Sequence, residues 1–358
     1  MRKNNEKRKR GQSRLRTLSA IPGVVLAFVA AFVVQRGISQ EVMLAEISGL
    51  AIVPETQTLM IAGWRDNDTF LEQRTLTIAD NLSGVTLQYD LEQNFVPSDV
   101  QVSPAGTHIA LSSLSTNSVV LYETGFSVPI QVYSGQRIAT FSPDNRFIAL
   151  AGDTGGIRLL MLESGEIAAT IGVDGAIGAI AFSPDGRWLS ASTPGNAGTQ
   201  VLLWQTDNLS DAARAYDADN FVYDMTFTPD SKHLVLALDG RVQMIDLQED
   251  AMRFWDLEAM GRVSSVAVSA DGTWLAAGGD SVNFDNASGV IAVWRLPDDA
   301  LLPPDEDYYA IKLLSGHTAR VNAVAFSWDD GRLFSVGSDG TLRLWDIETQ
   351  QQIEALER

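Results

Sequence analysis

The sequence predicts an all-β fold, a seven-bladed β-propeller preceded by one N-terminal transmembrane or signal helix. Three observations predict it: a hairpin-like segment that recurs seven times, an apolar third strand after each copy, and one uncharged apolar run near the N-terminus. The chain has 358 residues, 45% of them hydrophobic, which is enough for a substantial core. We expect residues 1–16 to form a basic cytoplasmic tail, 17–35 the membrane segment, 36–44 a linker and 45–358 the propeller.

The recurring segment is 15 residues long, and its seven copies align without a gap. Each copy contains an alternating apolar strand, a turn rich in Pro, Asp and Gly, and a second apolar strand, which is typical of a β-hairpin. The copies begin at Gly49, Asp99, Ile138, Ala179, Asp224, Ser265 and Ala323. Successive copies begin 50, 39, 41, 45, 41 and 58 residues apart, and repeats of about 40 to 45 residues are typical of propeller blades.

A third strand follows each hairpin, and a fourth, less regular segment follows the third strand. The third strands begin at Arg74, Ser118, Gly156, Gln200, Arg241, Val290 and Thr341. One four-stranded blade cannot bury both of its faces, whereas seven blades stacked around an axis can. Residues 351–357 can form the fourth strand of the last blade, while residues 41–47 could supply or double its outermost strand. We expect contact between the two ends of the propeller.

The uncharged segment at residues 17–35 is long enough to cross a membrane, since its apolar part, residues 18–34, approaches the length of a spanning helix. Eight Lys and Arg residues and one Glu precede it. The positive-inside rule then predicts a cytoplasmic N-terminus and a propeller on the far side. A cleaved signal peptide, with a cleavage site at residues 29–31, is the alternative, and it predicts a secreted or periplasmic protein.

The last repeat carries the most informative motif. Gly316-His317 precedes its hairpin, and Leu344-Trp345-Asp346 closes its third strand, so the repeat resembles the WD-repeat family. The resemblance covers about residues 45–358, and it implies a structural hydrogen-bonded tetrad of His317, Ser335, Asp339 and Trp345. The other repeats match less well, because none of them has Gly-His before its hairpin. Two keep the Trp position as Trp204 and Trp294, whereas the other four have Tyr122, Leu160, Ile245 and Ala79 there.

Composition excludes several function classes. From residue 37 onward the chain has 44 acidic and 17 basic residues, a net charge of −27, which repels nucleic acid and attracts basic partners. There is no cysteine, and the three histidines have structural explanations, with His108 and His233 as strand residues beside turns. We therefore predict no enzyme activity, no cofactor and no metal site. The innermost strands also contain few unusual polar residues.

The predicted function is a non-catalytic protein-interaction scaffold on the outer side of a membrane, with other proteins, basic ones among them, as partners. The alternative is an exported propeller enzyme or small-ligand receptor with its site at the ring axis. Three loops between second and third strands are enlarged, at residues 64–73, 193–199 and 280–289. The resemblance places these loops on the face that receives partners. The candidate binding residues are Trp64, Arg65, Asp66 and Phe70 in the first loop and Asn283, Phe284 and Asp285 in the third; alternatively, the loops fold back over the blade edges.

Overall fold

A computed structural model describes residues 45–53, 58–65, 68–76, 82–89, 91, 95–153, 156–195, 198–211, 213–258, 260–282, 288–296 and 312–357. These residues belong to the compact unit Met43–Arg358. The predicted basic tail, membrane segment and linker, residues 1–44, lie outside the described part of the chain. In that part, no helix has the length and apolar character needed to cross a membrane.

The described chain forms seven four-stranded antiparallel sheets, or blades, which confirms the predicted all-β seven-bladed propeller. Blade 1 contains β1 (Ala45–Val53), β2 (Thr58–Arg65), β3 (Asp68–Leu76) and β4 (Leu82–Tyr89). Blade 2 contains β5 (Asp99–Val102), β6 (His108–Ser113), β7 (Ser118–Glu123) and β8 (Pro129–Ser134). Blade 3 contains β9 (Ile138–Phe141), β10 (Phe147–Ala151), β11 (Ile157–Met161) and β12 (Ile167–Ile171).

The remaining four blades have the same strand order. Blade 4 contains β13 (Ile180–Phe182), β14 (Trp188–Pro194), β15 (Thr199–Gln205) and β16 (Arg214–Ala218). Blade 5 contains β17 (Asp224–Phe227), β18 (His233–Leu238), β19 (Arg241–Asp246) and β20 (Met252–Asp256). Blade 6 contains β21 (Met260–Val268), β22 (Trp274–Ser281), β23 (Gly289–Arg295) and β24 (Lys312–Ser315). Blade 7 contains β25 (Val321–Phe326), β26 (Arg332–Gly337), β27 (Thr341–Asp346) and β28 (Gln351–Glu357).

The first strand of every blade lies innermost. Each first strand contacts the first strands of the two neighbouring blades, and β25 contacts β1, so these strands form a closed ring. The second strands are mostly apolar and mostly buried, as in β18, where all six residues, His233 included, are buried. Both faces of these strands are covered by the two adjacent blades, and strands buried on both faces have long apolar runs.

The core consists of seven apolar clusters, one for each interface between neighbouring blades. The cluster between blades 7 and 1 contains Ile47, Leu50, Leu59, Ile61, Phe334, Val336, Leu342 and Leu344. Stability is therefore distributed over nearest-neighbour interfaces, as expected for a repeat architecture.

The ring closes without a shared strand. Residues 45–47 belong to β1, the innermost strand of blade 1, so the expectation that residues 41–47 supply the outermost strand of the last blade is wrong for its described part. The reason is that β28 already completes blade 7. The expected contact between the two ends is present: Asn322 Nδ2 donates to the Ile47 carbonyl at 2.9 Å and to Glu46 Oε1 at 3.2 Å.

One hydrogen-bond pattern stabilises the turn between the first two strands. In blade 4, Ser183 Oγ donates to Asp185 Oδ1 at 2.6 Å and accepts from the Trp188 N–H at 2.9 Å. The same Ser/Thr–Asp bond recurs at Ser142–Asp144, Thr228–Asp230, Ser269–Asp271 and Ser327–Asp329. Short polar side chains that form hydrogen bonds with nearby backbone groups favour turns, which explains why the Ser/Thr-x-Asp motif recurs.

The third residue after the Ser or Thr of this turn has a left-handed backbone in blades 2 to 7. Glycine occupies the position in blades 2, 4 and 6, whereas Asn145, Ser231 and Asp330 occupy it with φ values of 59°, 59° and 55°. These three side chains reach the turn of the preceding blade. Asp330 is the most strongly engaged, since its two carboxylate oxygens accept from the N–H groups of Ala270 at 2.7 Å and Asp271 at 3.1 Å.

We expect Asp330→Gly to lower the free energy of unfolding by about 1–2 kcal/mol, because two hydrogen bonds to a charged acceptor are lost between blades. Asn145→Gly should change it by less than about 0.5 kcal/mol, because the Asn145 acceptor lies 3.4 Å from the Ala105 N–H and glycine suits a positive φ. Urea unfolding measures both changes, provided that the free energy of unfolding depends on urea concentration with the same slope in each variant. Equal losses for the two variants would contradict this assignment.

Candidate functional site at the mouth of the central channel

The first strands surround a central channel, whose mouth lies on the face where first strands begin and second strands end. The cavity there has a volume of about 710 Å³, and residues on or next to all seven first strands line it, among them Ser48, Asp99, Thr140, Ala181, Thr226, Ser265 and Ala323. The connections between second and third strands reach the same face, because second strands end there. We call this surface the mouth face.

The first predicted binding loop, residues 64–73, is mostly strand. β2 runs through Trp64 and Arg65, and β3 begins at Asp68, so Phe70 pairs with Gly63 inside a longer hairpin. The loop prediction was wrong because residues 68–73 contain no turn-forming Gly, Pro or Asn. Trp64 lines the cavity, and its Nε1 donates to Glu46 Oε2 at 3.2 Å. Asp66 lies outside the described residues.

The other two predicted loops are shorter than expected. β14 extends to Pro194 and β15 begins at Thr199, so the blade 4 connection is residues 195–198. In blade 6, β22 ends at Ser281 and β23 begins at Gly289. The candidate residues Asn283, Phe284 and Asp285 fall between these strands and lie outside the described residues.

Three arginines line the channel mouth, and the sequence analysis did not identify them. Arg137 forms an ion pair with Asp153 at 2.5 Å. Arg262 places its guanidinium 4.0 Å from the centre of the Tyr223 ring, in a cation–π contact. Burial lowers the pKa of Arg262, and the positive charge of Arg320 lowers that pKa further, so two like charges are close together on blades 6 and 7.

Unmet hydrogen-bonding capacity concentrates at the same mouth. The Nε atoms of Arg137, Arg262 and Arg320 and the Oγ of Ser264 are buried without a hydrogen-bond partner among the described residues. Arg262 and Arg320 also form no ion pair within the described chain, unlike Arg137. A position-by-position comparison could have found them, since both lie three residues before their repeat segment.

Exposed apolar side chains surround the polar mouth. Leu114, Phe221 and Val96, which all line the cavity, are 59%, 49% and 37% exposed. The Phe221 and Tyr223 rings lie 4.9 Å apart, so the apolar rim is continuous with the platform under Arg262. Aromatic and apolar anchors around polar groups are typical of a protein-binding surface.

The innermost strands are more polar than expected. Asp99, Gln101 and Asp224 line the cavity with their carboxylates or amide, which corrects the interpretation that the axis lacks such residues. The pattern was missed because these residues alternate with buried apolar ones such as Val100 and Met225. Asp224 already accepts hydrogen bonds from the N–H groups of Met225 at 2.8 Å and Val266 at 2.9 Å, so it joins blade 5 to blade 6.

Asp224 should produce a measurable pH dependence. Burial and the nearby Asp99 charge raise its pKa to about 6, despite the hydrogen bond from Val266. Because the pKa of Asp224 is higher in the folded than in the unfolded protein, its protonation stabilises the fold. This contribution to the free energy of unfolding is complete below the unfolded pKa of about 4 and is lost as the pH rises through 6. We expect the wild type to lose up to about 3 kcal/mol relative to Asp224→Asn between pH 4 and 7. If urea unfolding shows that the free energies of unfolding of the two proteins change equally with pH across that range, the assignment is contradicted.

The structure brings the four residues of the predicted tetrad together in blade 7. Trp345 Nε1 donates to Ser335 Oγ at 2.8 Å, Ser335 Oγ lies 2.7 Å from His317 Nε2, and His317 Nδ1 lies 3.0 Å from Asp339. Burial raises the pKa of the Asp339 carboxyl, but the hydrogen bond and charge of His317 outweigh burial and bring that pKa to about 2. The tetrad is buried and does not line the cavity, so its arrangement fits a structural role.

The Trp position differs in two instructive ways in the other blades. In blade 1, strand pairing places Arg74 opposite Leu59, where the last blade pairs Trp345 with Leu333, so the assignment of Ala79 is wrong. The longer hairpin of blade 1 shifted the third strand. In blade 6, Trp294 is 1% exposed, and its Nε1 has no hydrogen-bond partner among the described residues.

The histidines do not converge. His108 and His233 each begin a second strand, as predicted, and His317 belongs to the tetrad. Within the described chain, no group of three or more His, Cys, Asp or Glu side chains could hold a metal ion.

Comparison with known proteins agrees with this architecture. The family model "WD domain, G-beta repeat" matches residues 166–205, 257–294 and 309–346. These matches contain the third strands of blades 4, 6 and 7, the three blades with Trp at the third-strand position. The chain therefore contains segments that match the WD-repeat model, and they lie within its seven-bladed propeller.

Individual relatives share the repeats over part of their length. The chain is 32% identical over 37% of its length to an uncharacterized WD repeat-containing protein of Synechocystis sp., and it covers 34% of that protein. It is 30% identical over 58% of its length to the target of rapamycin complex subunit wat1 of Schizosaccharomyces pombe, covering 63% of it. It is 25% identical over 57% of its length to human echinoderm microtubule-associated protein-like 2, covering 34% of it. The chain thus spans less than two thirds of these relatives.

Proposed function

We propose that the protein is a non-catalytic interaction scaffold that a membrane anchor presents on the outer side of a membrane and that binds a partner protein at the mouth face. The observation that carries the proposal is the mouth itself, where exposed Leu114 and Phe221 surround a cavity of about 710 Å³ with unpaired polar groups. A rigid ring that displays apolar anchors around buried donors suits protein recognition.

The location rests on the sequence. Eight basic residues before an uncharged apolar segment favour a cytoplasmic N-terminus and an exported propeller. A retained anchor restricts the search for partners to one membrane surface. Signal cleavage would give a soluble exported propeller with the same mouth face.

Topology and binding can be tested on the full chain in its native cells. Without protease, the intact protein should fractionate with the membrane. Protease added to the outer face of sealed membranes should then digest the propeller. Because the chain has no cysteine, Leu114→Cys gives one thiol for a photocrosslinker at the mouth. Ile167→Cys is a matched control, since Ile167 is 58% exposed on the outer strand of blade 3.

We expect an adduct from Leu114→Cys that Ile167→Cys does not form. Equal adducts from both positions, or none at the mouth, would refute binding at this face. A propeller protected from external protease would refute the proposed orientation.

A receptor for a small cationic ligand at the ring axis is the second candidate. Asp99 and Asp224 favour it, because both carboxylates line the channel. Their hydrogen bonds to Gln101 and to the blade 6 backbone favour a structural role instead. Thermal unfolding of the full chain with spermidine distinguishes the two: the receptor requires a saturable rise in Tm that Asp224→Asn abolishes.

A further inference from the structure

The buried donors at the mouth point to the chemistry of the partner. Arg262 Nε, Ser264 Oγ and Arg320 Nε lie on blades 6 and 7, line one cavity and have no hydrogen-bond partner among the described residues. Leaving a buried polar group unpaired costs about 1–3 kcal/mol. Three such groups in one place therefore indicate a ligand that supplies acceptors.

The charge arrangement identifies that ligand as an anion. Arg262 and Arg320 line the same cavity, and neither forms an ion pair within the described chain. The positive charge of Arg320 also lowers the pKa of Arg262. Two neighbouring guanidiniums repel each other, and an anion bound between them relieves that repulsion. Tyr223 holds Arg262 in place by stacking at 4.0 Å, which fixes the direction of its donors before binding.

A carboxylate fits better than a phosphate. Asp239 and Asp280 are near enough to Arg262 to raise its pKa, so the local charge includes two negative groups as well as two positive ones. These carboxylates offset part of the positive charge of the two arginines, and a dianion needs more of that positive charge to be neutralised than a monoanion does. Guanidinium groups also match the planar, two-oxygen geometry of a carboxylate.

We propose that Arg262, Ser264 and Arg320 bind a carboxylate group of the partner protein, on an acidic side chain or a C-terminus, while apolar partner residues pack on Phe221. The inference rests on the proposed function, because it names the chemistry recognised at the mouth face. It differs from the expectation of basic partners, since the local arginine pair selects an anionic group although the body as a whole is acidic.

Anion titration of the full chain in lipid nanodiscs tests the site itself. The probes are acetate and inorganic phosphate at constant ionic strength, with the Nε–H signals of ¹⁵N-labelled arginine followed by NMR. We expect acetate to shift the Arg262 and Arg320 signals saturably, and the double variant Arg262→Gln/Arg320→Gln to abolish saturation. Arg187→Gln removes the same charge at an ion-paired arginine on a first-to-second-strand turn and is the control.

Conservative variants guard against misfolding. Arg262→Lys/Arg320→Lys keeps both charges but loses the planar fork, and it should weaken acetate binding at least threefold, as should Ser264→Ala. An unsaturable shift, or saturation that survives the double Gln variant, overturns the proposal. Phosphate binding more than tenfold tighter than acetate overturns its commitment to a carboxylate.

Crosslinking separates failure of this inference from failure of the proposed function. In the Leu114→Cys background, the double Gln variant should lower the yield of the partner adduct at least tenfold, and Arg187→Gln should leave the yield unchanged. An undiminished adduct would overturn carboxylate recognition while leaving partner binding at the mouth intact. Absence of any adduct in the parent background would refute the proposed function, and the acetate titration would still decide whether an anion site exists.

Discussion

Ser335→Ala should lower the free energy of unfolding by about 2–4 kcal/mol. The substitution removes one hydroxyl, yet it leaves two buried groups without partners: the Trp345 Nε1–H, which donates to Ser335 at 2.8 Å, and His317 Nε2, which lies 2.7 Å from it. Water cannot compensate, because Ser335, Trp345 and His317 are all at most 2% exposed. Urea unfolding of the full chain in detergent measures the loss.

A tryptophan pair provides the control for this prediction. Trp345→Phe and Trp294→Phe remove the same atoms from equivalent positions, but only Trp345 donates a hydrogen bond within the described chain. Both variants lose packing, so the difference between them isolates the hydrogen bond, and we expect Trp345→Phe to cost about 1–2 kcal/mol more. Equal losses would show that the tetrad adds no stability beyond packing.

The fold could be predicted because the repeat encodes it locally. Alternating strands, the Ser/Thr-x-Asp turns and the spacing of the copies each specify a hairpin, and these signals agree across the chain. Blade 1 was misassigned where that agreement fails, since its strands continue through Trp64 and Phe70 without turn residues. Contact between the two ends was predicted, but the way they meet was not, because side-chain packing and Asn322 join them rather than a shared strand.

The sequence predicted which face of the propeller carries the candidate site, but not the residues that line the channel mouth. Arg262 lies in β21 and Arg320 just before β25, at equivalent repeat positions of blades 6 and 7, but the repeats do not reveal that both residues line the channel mouth. Asp99 and Asp224 were hidden because a strand that alternates inward and outward positions places a carboxylate on the axis without any local motif. Three-dimensional convergence of residues distant in sequence is the information that repeat alignment lacks.

Leu344→Ala should open the ring at one place. Leu344 is 1% exposed in the cluster between blades 7 and 1, and its truncation should lower the free energy of unfolding by about 2–5 kcal/mol. This interface alone joins blades that are not consecutive in sequence. Local separation there breaks no covalent connection, so hydrogen exchange should accelerate mainly in β1, β2, β26 and β27.

Leu236→Ala distinguishes seam opening from general destabilisation. Leu236 is fully buried between blades 4 and 5, which the chain connects directly. We expect a similar global loss but no preferential exchange at the seam, since the cluster between blades 7 and 1 remains intact. If Leu236→Ala accelerates exchange in β1 and β27 as much as Leu344→Ala does, the ring opens as one cooperative unit. In that case the hydrogen bonds of Asn322 and Glu46 would hold the seam as firmly as a continuous chain holds the other interfaces.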